Sequence, residues 1–172
     1  VPGAFMSLLG SNMLENVVNK KNVVQPSKIL DALNKEVVSR IANQENIDDI
    51  KHGMDIAVIS IDTSTNQLQY SGAHNPIYIV RGTELIEIKA DKMTIGFDNK
   101  QNSIVYTNQT AELKKGDMIY LFTDGFPDQI GGPKRKKFFY APFRSLLSSV
   151  SAFDPATQLK KINDAHIEWL NG

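Results

Sequence analysis

Asp117-Met-Ile-Tyr-Leu-Phe-Thr-Asp-Gly125 is the stretch whose reading decides the fold. Over residues 118–123 both alternating sets are largely apolar: Met118, Tyr120 and Phe122 on one side, Ile119, Leu121 and Thr123 on the other. A strand apolar on both faces is expected to be buried on both, away from a sheet edge. It stops at Asp124, a carboxylate followed by glycine, the residue that lets a backbone turn tightly or approach a ligand. An acid at the mouth of a rigid strand is well placed for chemistry, because the strand sets its position. Asp-Gly is also a common turn pair, so this stretch alone leaves Asp124 open as site or as turn.

Outward from it the chain reads as strands between helices. Residues 54–62 form a buried strand, closed by a turn at Asp62-Thr-Ser-Thr-Asn66. Leu68, Tyr70 and Gly72 alternate with Gln67, Gln69 and Ser71, a strand with one wet face. Residues 77–81 and 85–88 flank Gly82-Thr83, a hairpin pattern. Residues 103–113 make a mostly polar strand, joined through Lys114-Lys-Gly116 to the opening stretch. Six strands with such short links imply an antiparallel sheet or sandwich.

Helices lie on either side. From Pro2, Phe5, Leu9, Met13 and Val17 form an apolar row that Met6, Leu8 and Leu14 widen. A second helix starts near Pro26 and carries Ile29, Leu30, Leu33, Val37 and Ile41, with Lys28, Asp31, Lys35 and Glu36 on its solvated side. The two are expected to pack as a hairpin through Asn19-Lys-Lys-Asn22. After Gly125 come a loop over residues 131–137 and two more helices. The last has Asp154 as cap, Pro155 in its first turn, Leu159, Ile162, His166 and Trp169 on one face, and Gly172 as a stop. The reading is an α+β class with a single domain over residues 1–172.

Composition narrows the chemistry. The 172 residues carry 19 basic and 19 acidic side chains, so no global field recruits nucleic acid or an anionic membrane. With no cysteine there is no thiolate zinc site, disulfide or cysteine nucleophile, and His52, His74 and His166 are too scattered for a histidine cluster. No apolar run nears the roughly 20 residues of a membrane helix. The expected location is the cytoplasm.

Three stretches then carry a resemblance: Val1-Pro-Gly-Ala-Phe-Met-Ser-Leu-Leu-Gly10, Ser71-Gly-Ala-His-Asn-Pro76 and Gly116-Asp-Met-Ile-Tyr-Leu-Phe-Thr-Asp-Gly125. Gly53-Met-Asp-Ile-Ala57, Lys92-Met-Thr-Ile-Gly96 and Asp128-Gln-Ile-Gly-Gly-Pro133 support it in the same order. Together they resemble the bacterial SpoIIE/RsbU-type serine/threonine phosphatases, a branch of the metal-dependent type 2C phosphatases. The resemblance implies an antiparallel β-sandwich flanked by helical pairs, with two Mn²⁺ or Mg²⁺ ions at one end and Asp124 as a direct ligand. Oxygen donors suit such hard cations, and a metal-activated water would attack phosphorus directly. The implied substrate is a phosphoserine or phosphothreonine of a signalling protein, such as an anti-sigma-antagonist-like partner, under upstream sensor or regulatory domains.

Two departures qualify the expectation. The family carries an Asp-x-x-Gly-His-Gly motif just before the segment that matches residues 1–5, and an Asp-Asp strand after the last helix. Both would supply ligands, so the expectation is a domain truncated at both ends that is inactive alone; the rival is a catalytically dead interaction module. The remaining candidates stay two-sided. Gly125 belongs to the Thr-Asp-Gly turn. Asp128 either orients a metal-bound water or is a solvated loop acid. His74 and Asn75 contact substrate or water, or simply form an Asn-Pro turn closing a hairpin. Asp55 supports the site from behind or is a hydrogen-bonded strand acid. Lys134 and Arg135, in the run Lys134-Arg-Lys-Lys137, recognise an acidic or phosphorylated partner or are merely solvated.

Overall fold

Apolar rows spaced every three to four residues become four helices, and the period-2 stretches between them become antiparallel strands. The computed structural model describes residues 2–20, 22–42, 53–96 and 105–172, which divide into two units: Val1–Pro76 with Lys89–Leu113, and Ile77–Ile88 with Lys114–Gly172. His52 and Ser103 lie outside the described residues.

In the first unit, α1 (Pro2–Glu15) runs into a π-helical turn at Asn16–Lys20, and α2 (Pro26–Ala42) follows. Asn19 and Lys20 therefore prolong the helix, where a polar connecting turn was expected. The chain reverses later, with Asn22 at φ 52°. Met13 and Val17 are buried as the apolar row requires, whereas Leu8 is 64% exposed and does not widen it. Strands β1 (Ile56–Asp62), β2 (Gln67–Ala73) and β5 (Gln109–Glu112) form an antiparallel sheet in the order β1-β2-β5. The β1–β2 turn is closed by the Asp62 carboxylate, which accepts from the Ser64 amide at 2.8 Å and its hydroxyl at 2.6 Å.

Three strand expectations change here. Met54 precedes β1 and only bridges Ile95. β1 is half-buried, not buried. β5 is shorter than the polar pattern implied, because Tyr106 leaves the ladder for the core and gives its amide to Asp31 at 2.9 Å. That contact also takes Asp31 off the purely solvated side of α2. The core gathers Met13, Leu30, Leu33, Val37, Ala73, Ile95 and Tyr106.

In the second unit, β3 (Ile77–Arg81) pairs with β4 (Glu84–Ile88) across a turn with Gly82 at φ 60°, and with β6 (Met118–Leu121), in the order β4-β3-β6. Here β3 is the central strand and the one that is buried. Among the described residues β6 has one strand neighbour, so it is half-buried and Leu121 is 47% exposed. The expectation of a strand buried away from any edge fails: apolar alternation reports what a strand can bury, while its partners decide what it does bury. Asp117, at the start of β6, receives a two-point contact from Arg81, Nε at 2.9 Å and Nη2 at 2.7 Å, that locks the β3–β6 register.

Residues 131–137, expected as loop, contain a short hairpin of β7 (Ile130–Gly131) and β8 (Lys136–Lys137). Helices α3 (Tyr140–Val150) and α4 (Pro155–Asn171) follow. Asp154 caps α4 as expected, accepting from the Ala156 and Thr157 amides, both at 3.1 Å. Of the expected apolar face, Ile162, His166 and Trp169 pack inward, but Leu159 is 70% exposed and Gln158, at 5% exposed, takes its place. Gln158 goes inward because its amide is satisfied there, accepting from the Tyr120 hydroxyl at 2.8 Å and donating to the Phe153 carbonyl at 2.8 Å.

Candidate functional site

Asp124 stands between two aromatic anchors. Phe122, just past β6, packs on Tyr78 with ring centres 4.6 Å apart and on Phe143 at 5.1 Å. Phe126 packs on Phe138, Phe143 and His166, each at 5.1 Å. The intervening Thr123, Asp124 and Gly125 are exposed. The Asp124 carbonyl accepts from the Asp128 amide at 2.8 Å, closing a single turn. Asp124 is thus held by its neighbours while its carboxylate faces solvent. Beneath this strand end lies an apolar cavity of about 230 Å³ lined by Leu121, Phe122, Thr123, Phe126, Leu147 and Ile162, among others.

The backbone at Gly125 does not require a glycine. Its φ is outside the left-handed region, and an added Cβ would come no nearer than 3.5 Å to Thr123 Oγ1. Asp128 is neither isolated nor simply solvated: Lys137 Nζ sits 2.7 Å from its Oδ2. That hydrogen bond, with the charges of Asp128 and Asp124, holds the Lys137 ammonium pKa above its ordinary value. The Tyr140 phenol is raised too, by burial first and then by Asp124 and Asp128. Asp124, Asp128, Lys137 and Tyr140 therefore share one local field. Lys137 and Tyr140 were not among the expected site residues; the two-residue strands that bring Lys137 to Asp128 are too short to show in a sequence pattern. Lys134 and Arg135 are exposed on the hairpin turn, Arg135 at φ 45°.

His74, Asn75 and Asp55 belong to the first unit. His74 is exposed at φ 58°, and its amide donates to the Asp91 carbonyl at 2.9 Å. The Asn75 amide donates to the Ala73 carbonyl, and its own carbonyl accepts from the buried Tyr70 hydroxyl at 2.8 Å. The turn is a backbone clasp, yet it closes no hairpin, since β2 and β3 lie in different sheets. Asp55 accepts from Thr94 Oγ1 at 3.1 Å, the hydrogen-bonded acid of the two readings.

The donor set gives a plain result for metals. Among the described residues no group of three or more His, Asp or Glu side chains is placed to hold an ion. Asp124 offers one exposed carboxylate, and Asp128 is engaged by Lys137. These residues do not by themselves fit a two-metal centre. Nor is any described helix long and apolar enough to cross a membrane.

The family model for Stage II sporulation protein E (SpoIIE) matches residues 1–171. The chain belongs to the SpoIIE family. Among solved structures, this SpoIIE domain is similar to the SiaA-PP2C domain of Pseudomonas aeruginosa at 25% identity and TM-score 0.85, covering 98% of this chain and 64% of that one. It shares the fold of the PP2C phosphatase domain with a regulatory-domain fragment of SpoIIE from Bacillus subtilis, at 18% identity and TM-score 0.71, covering 98% of this chain and 46% of that one. It is also similar over part of its length to a structure of the RsbU and RsbW domains of a Mycobacterium tuberculosis protein, at 18% identity and TM-score 0.65, covering 96% of this chain and 42% of that one. No curated protein sequence matches it. The chain spans less than two thirds of each of these structures. It is a SpoIIE domain with a PP2C-like fold, α+β with antiparallel sheets as the residues implied.

Proposed function

We propose that the full-length protein is a divalent-metal-dependent phosphatase that removes phosphate from a serine or threonine of a bacterial signalling protein, with Asp124 as a metal-binding carboxylate. The observation that carries this is the placement of Asp124: an exposed acid on a turn anchored by Phe122 and Phe126, in a chain of the SpoIIE family. A carboxylate held this way keeps its position when charge arrives beside it, which is what binding a hard cation and a phosphate requires. Upstream regulatory domains and an anti-sigma-antagonist-like substrate are part of the same proposal. Of the two metals, Mn²⁺ and Mg²⁺ accept the same donors.

Because the described residues offer Asp124 without a set of three ligands, the 172-residue chain alone is expected to hydrolyse phosphate esters poorly. The same observation favours a second reading, a phosphatase-like module that binds a partner without turnover. Hydrolysis of an aryl phosphate with added Mn²⁺ or Mg²⁺ separates them, using the chain, the full-length protein and its Asp124→Ala variant. The proposal expects metal-dependent turnover in the full-length protein and a loss of at least about a hundredfold in the variant, with folding intact by circular dichroism. Full activity in Asp124→Ala would remove Asp124 from the site. A folded, metal-loaded full-length protein without turnover would establish the binding module.

A further inference from the structure

We propose that the tip of the β7–β8 hairpin, Lys134, Arg135 and Lys136, is a recognition surface for an acidic protein segment, the one flanking the phosphorylated residue; this rests on the phosphatase reading above. Three observations on the second unit carry it. First, all three side chains are exposed, and none forms an ion pair with a described residue. The neighbouring cation, Lys137, is by contrast taken up by Asp128.

Second, the base of the hairpin is anchored. The Gly132 amide donates to the Trp169 carbonyl at 2.7 Å, the Trp169 indole N–H donates to the Gln129 carbonyl at 2.9 Å, and Phe138 stands edge-on to the Trp169 ring at 5.2 Å. A Cβ on Gly131 would strike the Trp169 backbone, so the hairpin is seated on α4 without slack. With the backbone fixed, binding an anion orders only the side chains.

Third, the backbone is strained within the row and just past it. Arg135 has φ 45°, and Phe139, at φ 69° and ψ 160°, occupies a region open almost only to glycine. Phe139 is nevertheless 54% exposed, so burial of its ring does not hold it there; its amide donates to the Pro127 carbonyl at 2.7 Å. The strain turns the segment so that the cations face solvent on one side and Lys137 reaches Asp128 on the other.

The occupant follows from charge. Lys137, next to the row, is 2.7 Å from the Asp128 carboxylate, and the Asp128 amide donates to the Asp124 carbonyl at 2.8 Å, which sets the cation row beside the proposed reaction site. A row of three cations next to two carboxylates suits a short acidic stretch. A nucleic acid or an anionic membrane needs a broader positive field, and the chain has 19 basic against 19 acidic residues.

The test uses the full-length protein and phosphoserine peptides differing only in flanks: acidic, neutral or basic. The variant Lys134→Gln/Arg135→Asn/Lys136→Gln removes the charges, with Asn chosen because it tolerates a positive φ. The native protein is expected to favour the acidic peptide over the neutral one about tenfold in kcat/KM, through KM, and the preference should fade with salt. The variant should lose that preference, and Lys134→Glu/Lys136→Glu should shift it to the basic peptide. Equal use of all peptides by the native protein, or an unchanged preference in the variant, overturns the proposal. If no peptide is hydrolysed, the phosphatase reading fails separately, and binding of the acidic peptide by fluorescence anisotropy decides: about tenfold weaker binding to the variant supports the surface, equal binding overturns it. Tighter binding of phosphatidylserine vesicles or duplex DNA than of the acidic peptide also overturns it.

Discussion

Strands β2 and β6 each lead into a polar turn, yet the two turns are held in opposite ways. β2 has a strand on either side, and Leu68, Tyr70, Ser71, Gly72 and Ala73 are all buried. Its turn at His74 and Asn75 is clasped by backbone hydrogen bonds and by the Tyr70 hydroxyl. β6 has one described neighbour, and its turn at Asp124 is held by aromatic rings before and after it. In the first case backbone polar groups are consumed and little is left to offer a ligand. In the second, ring packing adds to the single backbone bond from Asp128 to Asp124, and the Asp124 side chain remains outside. The contrast explains why Asp124 is the stronger candidate.

The comparison can be broken at its glycines and its charged anchor. The largest effect is expected for Gly72→Ala. Its Cβ would collide with the buried Tyr70 hydroxyl and lie 2.7 Å from the Asn75 carbonyl oxygen. Overpacking and the lost hydrogen bond together should cost about 3–4 kcal/mol in urea unfolding; a change under about 1 kcal/mol would show that the clasp yields freely.

Next is Asp117→Ala, which removes the two-point contact with Arg81. The Asp117 side chain is 3% exposed and that of Arg81 31%, so the cost is set somewhat below that of a fully buried pair, at about 2–3 kcal/mol. The Arg81 hydrogen bond lowers the Asp117 pKa, partly opposed by burial and aided by the Lys114 amide. A lowered folded-state pKa means the stabilisation is complete above the unfolded value near pH 4 and lost as pH falls through the folded value. The wild-type advantage over Asp117→Ala should therefore shrink between pH 4 and more acidic solution; an advantage that grows on acidification would refute the ion-pair account.

Smaller effects sharpen the contrast. Tyr70→Phe leaves the Asn75 carbonyl without its donor and should cost about 1 kcal/mol. Gly125→Ala should change stability by less than about 0.5 kcal/mol, because the added methyl meets only ordinary contact. A cost above that of Tyr70→Phe would mean the Asp124 turn is as tightly clasped as its counterpart.

Much of the fold was legible because it depends on local chemistry. The helix start at Pro155 under an Asp154 cap, the Gly82 turn and the Asp62 turn each follow from one or two side chains acting on adjacent backbone. The errors share a cause. Burial of β6, of Ser71 in β2, and of Gln158 in place of Leu159 depends on which distant element lies opposite, and no period in the chain encodes that. The site divides in the same way. Asp124 stood out as an acid ending an apolar run, whereas Lys137 and Tyr140 enter its field only through a hairpin of two-residue strands.

By itself, then, the sequence determined the α+β class, the helix caps, the tight turns and the SpoIIE-type motifs that single out Asp124, all matters of near neighbours along the chain. Tertiary structure alone decided which strand is central, that Gln158 and not Leu159 turns inward on α4, that Asp128 is bound to Lys137, and that three cations on a strained hairpin have no ion-pair partner among the described residues. Those outcomes depend on contacts between residues far apart in sequence, where the satisfaction of buried polar groups and the pairing of charges outweigh local preference.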